Sequence, residues 1–191
     1  MQNPQEHHWK AVKRILRYLA ETTTHSLLIR RSLSMDILAF SDADWGSDVD
    51  DRKSTTGYCV YLGSNIITWS SHKQKVVSRS SSEAEYRSIA VVLTEVIWLH
   101  SLFHELHIST GGPHLFSDNL GVVLLSANPV MHSRTKHFKL DLHFFRDYVQ
   151  KQFVKLVHLP ARFQVADAFT KHVSRPSFTS FHRKLMVIDK P

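Results

Sequence analysis

Four carboxylates in this chain fall where an acid needs a reason to be. Asp42 closes the apolar run ILAFS, Asp118 closes the shorter run LFS, and Asp167 lies within VADAFTK, after another apolar stretch has ended. The fourth belongs to a spacing. Glu85, Ile89, Val92, Val96, Leu99, Phe103 and Leu106 are separated by 4, 3, 4, 3, 4 and 3 residues, which traces one face of a helix. Glu85 therefore heads an apolar stripe, while Glu83 lies roughly 160° around the same helix. An unpaired carboxylate at the edge of a core is costly or takes up a proton. Carboxylates gathered together repel unless a cation holds them, and hard oxygen donors favour magnesium or manganese. Two such ions about 3.5 to 4 Å apart form a clamp used to cut phosphodiesters. Each acid also has an ordinary role open to it: Asp118 or Asn119 as a helix cap, Glu85 against a helix dipole, Asp42 in a turn, Asp167 on a solvated helix.

The elements that must position these acids follow from pattern. Residues 5 to 21 read as an amphipathic helix, with Trp9, Val12, Leu16 and Leu19 on one stripe and Lys10, Lys13, Arg14 and Arg17 on the other faces. MDILAFSDADW (35 to 45) is a strand ending in acids. TGYCVYLGSNIITWSS (56 to 71) is a hairpin turning at Gly63–Ser64–Asn65. A long helix runs from about Ser81 to His107 and stops at TGGP. Then come a short strand, HLFSDN, a short helix, LGVVLLSANP, a helix over 134 to 152 and a strand over 153 to 161. From Phe163 the chain turns helical to about Val173, and Pro176 leads into a short tail. The order β-β-β-α-β-α-α-β-α predicts an α/β domain on a mixed sheet, hairpin first and parallel crossovers afterwards. Strand ends such as Asp42 and Asp118 are where such sheets open their ligand crevice, so the four acids are expected to converge at one edge.

Composition narrows the class. The chain has 191 residues, is 42% hydrophobic and is poor in Gly and Pro, which suits one well-cored domain with an appendage. No apolar run approaches a membrane span, the opening MQNPQEHHWK is unlike a signal peptide, and no membrane partner is expected. Cys59 is single, which excludes an internal disulfide framework and a cysteine-based zinc site and suits a reducing compartment. A net charge of +7, with 14 histidines besides, favours a polyanionic partner such as nucleic acid.

Longer stretches carry a resemblance. FSDADWGSDVDDRKSTTGYCVYLGSNIITWSSHKQKVVSRSSSEAEYRSIA, then LFSDN, SANPVMHSRTKHFKLDLHFFRDYV and LVHLPARFQVADAFTK, resemble the ribonuclease H domain of copia-type LTR retrotransposon Pol polyproteins. The resemblance implies a ribonuclease H-like fold, a five-stranded mixed sheet flanked by helices and preceded by one amphipathic helix. It implies residues 1–34 as the end of the reverse transcriptase region, 35–175 as the ribonuclease H-like domain and 176–191 as a tail. It also implies hydrolysis of the RNA strand of an RNA–DNA hybrid by two Mg2+ ions, with Mn2+ as a substitute, held by Asp42, Glu85, Asp118 and Asp167. Asp44 and Glu83 compete with two of these. Asp42 is preferred because it directly follows the Phe–Ser end of the strand, and Glu85 because it alone lies on the apolar face. Candidate strand contacts are Lys73, Gln74, Lys75, Arg79 and Asn119, or else a plain basic loop. The polymerase part of the same polyprotein is a further expected partner. The setting is intracellular, in a cytoplasmic virus-like particle or the nucleus, if the element is active.

Three segments depart from this or invite misreading. Many ribonucleases H carry a histidine in the loop before the last acid; here that loop is LPARFQVAD, with Arg162 in its place, so no histidine is assigned. The VDD of SDVDD lacks a preceding aromatic and reads as a solvated turn. RTKH with Asp141 and His143 lacks an HExxH arrangement and reads as a basic helix start. The rival functional readings are a catalytically silent nucleic-acid-binding remnant and a transposase-like nuclease on the same general fold.

Overall fold

A computed structural model describes residues 3–127 and 139–189. The opening helix α1 (Glu6–Glu21) is followed by a three-residue strand β1 (His25–Leu27). The central strand β2 (Ile37–Asp44) then leads to the hairpin β3 (Thr55–Leu62) and β4 (Asn65–Lys73). Gly63 supplies the positive φ of +58° at the hairpin turn, and a Cβ there would collide with Ser32 and Ser34. Next come α2 (Ser81–Glu105), β5 (His114–Ser117), α3 (Leu120–Ala127), α4 (Lys139–Gln150) and β6 (Lys155–His158). A 3-10 turn (Ala161–Phe163), the one-turn helix α5 (Asp167–Thr170), α6 (Arg175–Lys184) and β7 (Val187–Asp189) finish the chain.

The expected mixed sheet of five strands forms in the order β4-β3-β2-β5-β6. The hairpin neighbours are antiparallel, and β2, β5 and β6 are mutually parallel. Because β2 and β5 run the same way, both deliver their C-terminal acids to one edge.

Each face of the sheet is covered. Ile37 and Ala39 of β2 and Tyr58 and Val60 of β3 pack with the α2 stripe, together with Leu142 and Phe145 of α4. Leu38 and Phe40 point the other way and join Cys59, Tyr61, Val165, Phe169 and Phe181 beneath α5 and α6. Side-chain alternation therefore puts Asp42 on the α5 side, two residues beyond Phe40. Burial pushes the Cys59 thiol up, so it stays an inert core group.

Several expectations need correction. By length and composition α2 does reach what a membrane span requires; here it is the core helix, with one side laid on the sheet. The last helix does not continue to Val173. At Lys171 the backbone turns extended, directly after its amide has closed the last helical hydrogen bond to the Asp167 carbonyl. Residues after Pro176 are α6 and β7, and β7 pairs antiparallel with β1. Pro176 in the first turn of α6 and the Phe178/Phe181 spacing were the available signals. The first part of the helix read over 134 to 152, including RTKH, lies outside the described residues; Lys139–Gln150 is helical.

Candidate active site

Asp42, Asp118 and Asp167 meet: each offers a carboxylate oxygen, all within 4.8 Å of one another. Their elements explain the meeting. Asp42 comes from the end of β2 and is buried, and its backbone carbonyl accepts from Ser88 Oγ of α2 at 2.9 Å. Asp118 follows β5 directly. It is not spent as a cap, because Asn119 accepts the Val122 amide at 3.2 Å and caps α3 instead. Asp167 opens α5, which sits against the sheet over Gly57, the residue registered opposite Asp42. A Cβ at Gly57 would lie 2.7 Å from both Phe169 Cβ and Thr170 Cγ2, so the missing side chain is what lets α5 approach. Gln164 completes the placement. Its amide donates to the Ser41 carbonyl at 3.0 Å, and its Oε1 accepts the Ala166 amide at 3.2 Å.

Glu85 stands beside this trio on α2, where the Ser80 cap begins the helix. It is 6% exposed, and its Oε2 has no hydrogen-bond partner among the described residues. Burial, then the charges of Asp42 and Asp118, push the Glu85 carboxyl up to about 9, against a small pull from the Ala43 amide. Asp42 is also raised, by burial first and by Asp167 and Asp118, with Thr170 and Lys171 opposing. Asp118 is raised by burial and by Asp167. Ionising them together sets like charges side by side in a half-buried place, a repulsion that a divalent cation would offset.

The competitors are otherwise employed. Asp44 accepts the Thr55 amide and the Ser47 hydroxyl, the work of a turn acid. Glu83 lies off the apolar stripe yet is buried, contrary to expectation, at 3% exposure. It is satisfied there: Arg87 Nη2 donates to it at 2.9 Å and the Arg79 amide at 2.9 Å. The SDVDD turn is also a turn. Asp48 accepts the Asp50 and Asp51 amides, and the Lys73 ammonium 2.5 Å away holds its carboxyl down to about 2.

The proposed strand contacts fall into two groups. Lys75 and Arg79 are exposed on the loop ahead of α2. Lys73 is exposed but paired with Asp48 and Asp51, and Gln74 is buried, donating to Thr56 Oγ1 and the Ala84 carbonyl at 3.0 Å each. Asn119 serves as the α3 cap.

Sequence reasoning missed Lys171, Thr170 and His158. Thr170 Oγ1 donates to Asp42, and Lys171 lies 2.7 Å from Asp167 and 3.5 Å from Asp42. The i,i+4 spacing of Asp167 and Lys171 was a usable signal. His158, exposed at the end of β6, is the weakest of the influences that oppose the rise of the Asp118 carboxyl, and nothing in its spacing foretold this. Arg162 lies over the Phe163 ring at 4.6 Å and helps line a cleft of about 470 Å³ with Asp167, Lys171, His172 and Lys184.

Three acids, from β2, the end of β5 and α5, meet at one edge of a ribonuclease H-like fold, with Glu85 of α2 beside them. Structural likeness agrees on the fold: LC11-RNase H1, isolated from compost, matches with a TM-score of 0.53 and 16% identity over 71% of this chain and 93% of its own. The same protein in complex with an RNA/DNA hybrid gives a TM-score of 0.52 at 15% identity over 71% of this chain and 94% of its own. In sequence, the Pol polyprotein from transposon RE2 of Arabidopsis thaliana is 48% identical over 192 residues, covering all of this chain. No family model matches. Along its whole length the chain is similar to part of the copia-type retrotransposon Pol polyproteins, and its fold is ribonuclease H-like. It spans 13% of the length of the RE2 polyprotein.

Proposed function

We propose that this chain hydrolyses the RNA strand of RNA–DNA hybrids, with divalent ions held by Asp42, Glu85, Asp118 and Asp167, in the reverse transcription of a retroelement. The observation that carries the reading is the convergence of acids from separate elements: three share oxygens within 4.8 Å, and the fourth is buried beside them with an orphaned oxygen. Hard carboxylate donors that repel one another suit magnesium, with manganese as a substitute. Ions bound there would supply an activated water and charge stabilisation for the departing 3′ oxygen.

The chain's own part is positioning. Ser88 and Gln164 fix the backbone on either side of Asp42, and Gly57 lets α5 bring Asp167 close. The hybrid bound by LC11-RNase H1, together with the +7 charge, supports this substrate. Lys75 and Arg79 would meet its backbone, and 2′-hydroxyl contacts would select RNA. Residues 1–34 are read as the end of the reverse transcriptase region and 35–175 as the nuclease domain, with the polymerase part of the polyprotein as partner. Work would take place in a cytoplasmic particle or the nucleus.

A silent nucleic-acid-binding remnant is the second reading, favoured by the pairing of Lys73 within the chain's own acidic turn. Cleavage of a labelled hybrid in Mg2+ or Mn2+ separates the two, with RNA and DNA duplexes as controls. Cutting of the hybrid alone, reduced about 100-fold or more in Asp42→Asn, is expected. A folded chain that binds the hybrid without cutting it would establish the remnant.

A further inference from the structure

We infer that Lys171 is a resident counter-cation of the acid cluster, and that divalent ions bind by displacing it. The inference rests on the reading of Asp42, Asp118, Asp167 and Glu85 as ion ligands. The Lys171 ammonium lies 2.7 Å from Asp167 Oδ1 and 3.5 Å from Asp42 Oδ2. Its charge also acts on Asp118 and Glu85, so one side chain answers all four acids.

The oxygens it pairs with are those a divalent ion would take. A carboxylate oxygen binds Mg2+ at about 2.1 Å, so an ion on Asp167 Oδ1 would sit within about 5 Å of an ammonium held on the same atom. Two cations so close repel strongly in a half-buried setting, and the ion carries the larger charge.

Lys171 is built to yield. It follows α5, where the backbone has already turned extended, and its amide stays bonded to the Asp167 carbonyl at 2.9 Å whatever its side chain does. The side chain is 48% exposed, so its ammonium can swing into water without uncovering the core. Thr170, which also donates to Asp42, is fixed on α5 and keeps that carboxylate placed during the exchange. Ion affinity is then the difference between two occupancies. The lysine lets the acids pack together without an ion, at the expense of ion affinity.

Calorimetric titration of the full chain with MnCl2 and with MgCl2, alongside melting in EDTA, tests this without any cleavage assay. Lys171→Met is expected to bind Mn2+ about fivefold more tightly than wild type, the factor carried by a partly exposed ion pair, and to melt lower in EDTA. Lys171→Arg, which keeps the charge, should bind as wild type does. If Lys171→Met does not fold, Lys171→Gln gives the same readout. Equal or weaker Mn2+ binding by the neutral variant overturns the inference while leaving the ion-ligand reading intact. A wild-type chain that binds neither ion overturns that reading as well.

Discussion

Glu85→Gln probes the site's electrostatics most directly, because it replaces a titratable carboxyl with a neutral amide of nearly the same shape. The Glu85 carboxyl stands at about 9 in the folded chain against an ordinary value of 4.5. Between those values the folded chain holds a proton that the unfolded chain has released, so stability falls as pH rises across that window. Each pH unit above the ordinary value costs about 1.4 kcal/mol, or about 3 kcal/mol at pH 7. Glutamine escapes this cost and can still accept the Ala43 amide. In EDTA at pH 7 the variant should therefore be more stable by about 3 kcal/mol, which for a chain of this size raises Tm by about 6 to 12 °C. The gain should vanish near pH 4.5 and grow towards pH 9. Thermal or urea melts from pH 5 to 9 measure it. A stability difference that stays flat over that range refutes the reasoning, because a packing effect of the amide carries no proton. Under the ion-ligand reading, saturating Mg2+ should stabilise the wild type more than the variant and narrow or reverse the order.

Two further variants test the scaffold. Gly57→Ala places a methyl 2.7 Å from Phe169 Cβ and Thr170 Cγ2, so it should cost about 1 to 3 kcal/mol in urea melts and push Asp167 away from Asp42. Hybrid cleavage should fall with it, and an unchanged variant would show that α5 does not need that contact. Tyr86→Phe removes the buried hydroxyl that donates to the Val122 carbonyl at 2.8 Å. A loss of about 1 to 2 kcal/mol with cleavage unchanged is expected, and a loss of cleavage at full stability would contradict its purely structural placement.

The resemblance alone led from the sequence to the fold family, and local pattern led to most of the elements. The periodicity of α2, the apolar runs of β2 and β5 and the Gly63 turn are local physics: a helix face or an alternating strand is written in consecutive residues. The same patterns located Glu85 at the head of its stripe and Asp42 and Asp118 at strand ends. β1 and β7 escaped because neither carries a signal in three residues; each is a strand only because the other end of the chain lies beside it.

What depended on the tertiary structure was how each charge is answered. Glu83 and Glu85 are both buried, and although the i,i+4 spacing offers Arg87 to Glu83, only the packed structure shows that an oxygen of Glu85 has no partner among the described residues. The need for a glycine at position 57 shows only where α5 lies on it. The reach of the Lys171 ammonium to Asp42, far away in sequence, exists only because α5 packs on the sheet. Sequence sets which groups a chain owns and the period at which they recur. Burial and neighbouring charge, which decide whether a carboxylate is a cap, a paired ion or a ligand, arise only when distant segments pack together.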